Sequence, residues 1–287
     1  MSDSERSKQP TPDQAEFNAF FPSPYSLGEF TSPTTPIDGD VYPDAHKGSR
    51  KILMIAADER YLPTDTGKLF STGNHPVETL VPMYHLHQAG FGIEVATLSG
   101  NPVKFEMWAM PTAQPQITGL HESYLPQFLR PRKLSDIADS LDGNSEYLAV
   151  FIPGGHGALI GLPQSEAVAK VLRWAMDNDR HVISLCHGPA ALIAAGAFGE
   201  ASPFHGYSIC AFPDDVDRQT PAIGYMPGGL TWFFGEKLRA QGVSIVNGDV
   251  TGATHQDRKL ITGDSPFASN ALGKLAARAL LDEVAKG

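Results

Sequence analysis

The sequence predicts one α/β domain, built on a mainly parallel sheet between helices, with an N-terminal arm and a small inserted segment. Three observations carry this expectation. Short apolar runs recur at residues 51–57, 91–98, 147–152 and 181–185, as expected for strands buried on both faces. Stretches with helical spacing lie between them, so the chain repeats strand, helix, strand, the mark of right-handed parallel crossovers. The glycines and the cysteine that follow two of these runs fall at the carboxyl ends of strands, where open α/β sheets place their sites.

Composition narrows the setting. The 287 residues suffice for one large domain or two small ones, and a hydrophobic fraction of 41% is that of an ordinary globular chain. A formal charge of −10 argues against general affinity for nucleic acid or anionic membrane, though not against a small anion or nucleotide held locally. Two cysteines, Cys186 and Cys210, are too few for a disulfide framework and fit a reducing compartment. Acidic residues at Asp3, Glu5 and Asp13 and the lack of an apolar core exclude a signal peptide reading, and no run approaches a membrane span. A cytoplasmic location and no membrane partner are the expectation.

Residues 1–48 carry prolines at 10, 12, 22, 24, 33, 36 and 43, which disfavour helix. Their aromatics (Phe17, Phe20, Phe21, Tyr25, Phe30, Tyr42) are too many for a disordered tail. The first dozen residues are expected to be loose and the rest to pack on the domain or a partner subunit. The domain proper spans 49–287. After the first strand, a helix is expected from an Asn74 cap with Pro76 in its first turn and Val77, Leu80, Val81 and Tyr84 inward. Residues 99–144 break the pattern and read as an irregular aromatic insertion beside the sheet, forming one wall of the cleft. Arg130, Arg132 and Lys133 within it read as a solvated face, or as an anion contact. Helix 165–178, short strands at 243–246 and 259–263, and a closing helix at 267–285 complete the domain.

The chemistry-bearing stretch is His181 to Pro189. A β-branched run ends in Cys186, and His187-Gly188-Pro189 opens a small-residue helix. This strand, turn and helix resemble the nucleophile elbow of hydrolases with sulfur in place of oxygen. The new helix's amides and His187 favour a thiolate there. A buried structural cysteine is the alternative. Pro153-Gly154-Gly155-His156-Gly157 follows a buried strand, so its amides suit an oxyanion hole, or it is simply a structural turn. Its spacing matches neither the dinucleotide nor the P-loop pattern.

Together with Glu78, the Cys-His-Gly elbow and the Pro-Gly-Gly-His-Gly loop resemble the ThiJ/PfpI superfamily, which has a flavodoxin-like three-layer sandwich. The segments 57–65, 70–76 and 262–267 are similar to its bacterial heat-shock chaperone branch, described as glutathione-independent glyoxalase III and as protein and nucleic-acid deglycases. The resemblance runs from about residue 20 to the C-terminus. It implies Cys186 as nucleophile, His187 as its base, Asp217 (rather than Asp214 or Asp215) as orienter of the imidazole, and Glu78 as a carboxyl beside the thiol. An acid in the first turn of a helix is ordinarily kept ionised by the helix dipole. Beside a thiolate in a closed site its pKa should instead rise, and the resemblance favours that outcome.

Relatives in this branch carry a metal site of two histidines and a glutamate. His87 matches the first ligand, but Gly92 and Tyr124 stand at the other two positions, and His85, Glu94, His121 and Glu122 offer no clear substitute. No metal, no glutathione and no other cofactor is expected. The implied reaction is attack of Cys186 on methylglyoxal or glyoxal, with the Gly154–Gly155 loop and the His187 amide holding the oxyanion. Glu78 or His187 then moves a proton between the former carbonyl carbons, and the thioester hydrolyses. On early glycation adducts of proteins or nucleotides the same attack releases the amine. The alternatives are a holdase chaperone that binds unfolded proteins through exposed aromatics near Trp108 and Phe128, and a small-peptide aminopeptidase using the same triad. The family suggests a homodimer.

Overall fold

The computed structural model describes residues 6–39 and 41–286. The N-terminal arm contains strands Thr11–Pro12 (β1) and Ala19–Phe21 (β2) and helix Pro24–Phe30 (α1). The domain opens with Lys51–Ile55 (β3), Tyr61–Pro63 (β4), Leu69–Ser71 (β5), helix Pro76–Gln88 (α2) and Gly92–Thr97 (β6). Helix Pro115–Leu129 (α3), Arg132–Lys133 (β7) and helix Leu134–Ala138 (α4) come next. They lead to Tyr147–Ile152 (β8), helix Glu166–Asp177 (α5), His181–Leu185 (β9) and the one-turn helix Leu192–Ala195 (α6). The last part holds Ser208–Ile209 (β10), helices Asp214–Asp217 (α7) and Phe234–Ala240 (α8), and Ser244–Ile245 (β11). Thr254–Asp257 (β12), Leu260–Gly263 (β13) and helix Ser269–Lys286 (α9) end the chain.

Among the described residues, the central sheet has the order β12-β13-β9-β8-β3-β6-β7. Every neighbouring pair is parallel except β12 with β13. Alternation along the apolar strands fills a core on each face: Ile52 and Met54 of β3 pack with Leu80, Ile117 and Leu272, while Leu53 and Ile55 pack with Leu134, Val168 and Leu172. Helices α2, α3 and α9 therefore cover one face, and α4 and α5 the other, giving the expected three layers. The chain runs from β3 to β6 on one side and later to β8 on the other. The carboxyl ends of β3 and β8 thus form the topological switch point, the crevice such sheets use for ligands.

Helix α2, which presents a residue to that crevice, is sandwiched rather than half-exposed. A Cβ on Gly273 of α9 would sit 2.8 Å from His85 Cδ2 and 2.9 Å from Pro82 Cα, so this glycine is what allows the two helices to approach so closely. The cap of α2 is His75, not Asn74. The Asn74 side chain is used elsewhere: Oδ1 accepts from Ala57 N at 3.0 Å and Nδ2 donates to Ala57 O at 2.9 Å, which fastens the end of β3 to the start of the helix.

Several expectations are corrected. The segment Tyr124–Leu129, read as irregular, is the end of α3, with Pro115 at its start and Ile117, Leu120, Tyr124 and Phe128 inward. Arg132 and Lys133 are exposed, as a solvated face requires, but they also extend the sheet at its edge, with Arg132 Nη1 2.9 Å from Glu94 Oε1. Phe128 is 3% exposed and Trp108 is half-buried, so neither supplies the apolar surface expected of them; Phe17 and Phe267 are far more exposed. The arm is ordered from within its first dozen residues, since Thr11 and Pro12 pair with Phe21 and Phe20. Residues 1–5 lie outside the described residues. The arm joins β5 and β4 in a second sheet of order β1-β2-β5-β4. It is also bonded to a distant loop: Ser23 N donates to Gly224 O at 2.8 Å and Ser26 Oγ to Ile223 O at 2.8 Å.

Candidate active site

Cys186 directly follows β9 and has φ of +57°, a conformation that non-glycine residues rarely adopt. The bend is held by Cys186 N donating to Gly263 O at 2.9 Å and by Phe212 N donating to Cys186 O at 3.0 Å. It turns the side chain off the strand line into the crevice above β8 and β3. Gly154 and Gly155 follow β8, and Glu78 lies in the first turn of α2, so two neighbouring strand ends and one helix start deliver the cluster.

The expected side chains converge. Cys186 Sγ lies 3.2 Å from His187 Nδ1, and His187 Nε2 lies 2.9 Å from Asp217 Oδ2. Asp214 and Asp215 do not take part, because Asp214 accepts from Gly235 N and pairs with Arg239, and Asp215 pairs with Arg218. Asp217 is fully buried, yet the two imidazoles beside it, His187 and His156, hold its carboxyl well below the usual range against the effect of burial. Ionised, it only accepts hydrogen bonds. Neutral His187 therefore carries its proton on Nε2 and turns a bare Nδ1 to the thiol. The arrangement is that of a base aimed at a nucleophile.

Glu78 is 0% exposed, and neither of its oxygens has a well-formed hydrogen bond among the described residues. Burial pushes its pKa well above the carboxylate range, despite the Cys186 thiol and the Gly155 amide, which favour its charged form. The raised pKa expected of this residue is present. The Cys186 thiol is also pushed well up, by burial first and then by the charge of Glu78. Burial and Glu78 thus work against the thiolate that the following helix was expected to favour. That helix also offers little aligned dipole, since Gly188–Ala191 form a 3-10 turn and α6 adds only one α-helical turn.

Gly154 is a place where only glycine fits. A Cβ there would lie 2.1 Å from Glu78 Oε2 and 2.7 Å from Cys186 Cβ. Gly155, with φ of +97°, faces both Glu78 and Cys186 through its amide. A donor so placed suits an oxyanion formed on carbon bound to the sulfur.

Four further groups at this site were given no individual role from the sequence. His156 Nε2 lies 3.1 Å from Asp217 Oδ1. His75 is buried with Nδ1 unpartnered among the described residues, and burial lowers its pKa to about 3. Glu106 is fully buried, accepts from Thr72 Oγ1 at 2.5 Å, and is raised by burial to about 7. The Tyr225 ring lies tilted against His156 and Phe70, with centroids 5.8 Å and 5.7 Å away. An imidazole between two glycines just after a buried strand was the signal that marked His156. Nothing in the local pattern around Glu106 marked it.

His156, His187 and Asp217 also form a metal-type grouping among the described residues, with donor atoms within 4.8 Å of one another. Their hydrogen bonds to one another account for that convergence. The residues at His87 do not fit a zinc site: His87 Nδ1 is 3.4 Å from the hydroxyl of Tyr124, whose pKa burial raises, and Gly92 has no side chain. His85 is engaged with Tyr42 and Asn270, and His121 stacks on Phe128.

The DJ-1/PfpI family pattern matches residues 69–202. Protein/nucleic acid deglycase HchA of Escherichia coli O1:K1 / APEC is 61% identical over 277 residues, which cover 96% of this chain and 97% of that relative. Protein/nucleic acid deglycase 1 of Escherichia coli strain K12 is 62% identical over 275 residues, 96% of either chain. Among solved structures, glyoxalase III from Candida albicans aligns with a TM-score of 0.63 at 20% identity over 80% of this chain and 97% of its own, a likeness of fold.

Proposed function

The chain belongs to the DJ-1/PfpI family, and from that membership and the Cys186 geometry we propose that it is a deglycase with glutathione-independent glyoxalase activity. The observation that carries the reading is the chain of contacts from Cys186 Sγ to His187 Nδ1 at 3.2 Å and from His187 Nε2 to Asp217 Oδ2 at 2.9 Å, with Glu78 beside the sulfur. Its near-full-length identity to proteins named protein/nucleic acid deglycase supports the same substrate class.

The resting site holds a thiol and a protonated Glu78. As methylglyoxal arrives, His187 Nδ1 takes the thiol proton while sulfur bonds to the aldehyde carbon. The Gly155 amide receives the developing oxyanion, which is then protonated to a thiohemiacetal. A base, Glu78 after it has given up its proton or His187, removes the hydrogen from the sulfur-bearing carbon. A proton returned to the neighbouring carbon, with the hydroxyl proton passing to that carbon's oxygen, yields a lactoyl thioester. Water cleaves it to lactate and free thiol, so the sum is methylglyoxal plus water giving lactate. On a carbinolamine adduct, sulfur instead displaces the amine, which leaves with the proton from His187 and gives the same thiohemiacetal. No step calls for zinc or glutathione, and the chain is proposed to work without either.

The test is direct. Purified protein should convert methylglyoxal to lactate without glutathione and release free amine from freshly glycated peptide. A protein inert on both substrates would overturn the proposal.

A further inference from the structure

Asp217 is gripped from two sides. One oxygen meets His187 Nε2 at 2.9 Å; the other meets Nε2 of His156 at 3.1 Å. The two imidazole centroids lie 3.9 Å apart with 35° between the ring planes, so the carboxylate closes a compact three-member cluster. We propose that His156 is a positioning residue for this site: by donating to the second oxygen of Asp217 it fixes the carboxylate plane, and so holds His187 with Nδ1 toward Cys186. The inference rests on the functional reading above.

The hydrogen-bond inventory sets the protons. An ionised carboxylate offers acceptors only, so both imidazoles present Nε2–H to it. If His156 were replaced by an apolar group, the second oxygen would be left buried without a partner. The carboxylate could then rotate toward another donor, and His187 would lose its fixed tautomer. His156 is itself held firmly: Phe70 meets it edge-on at 5.5 Å and Tyr225 lies at 5.8 Å.

Charge favours the same division of labour. Burial and the neighbouring His187 both lower the pKa of His156, while Asp217 and Glu106 oppose them without prevailing. His156 therefore stays neutral, and the proton taken from the thiol resides on His187. The position in the chain adds a second link. His156 directly follows Gly155, whose amide faces the thiol. The same turn is tied to the lead-in of α2 by His75 N donating to Gly154 O at 3.0 Å and Gly157 N donating to Gly73 O at 3.0 Å. One imidazole thus keeps the amide donor and the triad carboxylate in register.

The experiment compares full-length His156→Leu and His156→Gln. Leu removes the donor; Gln can place an amide N–H near the same oxygen. His156→Leu should lose about 10- to 100-fold in kcat with KM little changed, as losses of such supporting contacts do. It should also change the pH profile of Cys186 alkylation by iodoacetamide, and His156→Gln should recover most of both. A Leu variant with wild-type kcat and alkylation profile, or a Gln variant as impaired as Leu, would overturn the proposal. The alkylation profile does not depend on dicarbonyl turnover, so it decides the role of His156 even if the wild-type protein fails on methylglyoxal. Imidazole nitrogen NMR of the wild-type protein needs no variant. Both His156 and His187 should carry the Nε2 proton when neutral, and an Nδ1–H tautomer at His156 would equally sink the idea.

Discussion

The Glu78 carboxyl and the Cys186 thiol face each other in a buried site, and both keep their protons well above their ordinary pH ranges. Burial is the main cause for each, and the negative charge of an ionised Glu78 adds to the cost of forming the thiolate. The pair therefore rests neutral and has an acid in place when charge develops on substrate.

Glu78→Gln keeps the shape of the side chain and removes its titrating proton. Turnover of methylglyoxal should fall by about 10²- to 10⁴-fold, the range supplied by a positioned acid or base. Retained turnover would remove Glu78 from the mechanism.

Cys186→Ser should abolish turnover, because a hydroxyl in the same surroundings is a far weaker acid than the thiol. Cys210→Ser should leave it intact, since that thiol is structural and is pushed to about 11 by burial and by Asp264. Lactate formation without glutathione reads both variants, and activity surviving in Cys186→Ser would end the covalent route.

Asp217→Asn should lower kcat by up to ~10⁴-fold if the amide permits the wrong imidazole tautomer, as in serine triads. It should also flatten the acid limb of stability. The folded pKa of Asp217 lies below its unfolded value, so its contribution is full above the ordinary carboxylate range and is lost as pH falls toward the folded value. Denaturant midpoints at pH 3 and pH 7 that shift equally in the variant would contradict this.

Glu106 has the opposite sign. Its folded pKa of about 7 exceeds the unfolded 4.5, so the folded state holds the proton longer and stability declines as pH rises between those values. Glu106→Gln keeps the acceptor for Thr72 and removes that decline. The variant should gain roughly 3 kcal/mol relative to wild type on going from pH 4.5 to pH 8, at 1.4 kcal/mol per unit. Urea titrations at the two pH values read the difference, and an equal change at both would refute it.

Gly154→Ala should lose activity while Gly155 remains, because the added methyl would occupy space within 2.1 Å of Glu78 Oε2. Turnover near wild type in a folded Gly154→Ala protein would show that the crevice relaxes more than its packing suggests.

The central strands were legible because each is largely apolar: β3, β6, β8 and β9 fall within the runs read from sequence. The convergence of Cys186, His187, Asp217 and Glu78 was also anticipated, through the strand-turn-helix pattern and the resemblance. Strands with little buried apolar surface were not seen. Arg132–Lys133 and Thr254–Asp257 show no alternation because they lie at sheet edges, one exposed and the other only partly covered. Helix α3 was hidden by Pro115, Gly119 and Pro126, which mask an inward face visible only at four positions. His156 was overlooked for a different reason. Its partner is 61 residues away in the chain, a pairing that only folding creates.

The bonds from Ser23 and Ser26 to the loop at 223–224 span about 200 residues of sequence. During synthesis at about 5–20 residues per second, the arm waits roughly 10–40 seconds for its acceptors to be made. A segment made early is therefore among the last to settle. Until then its aromatic residues lack those partners, so slow elongation lengthens the interval in which they are open to water and to other chains.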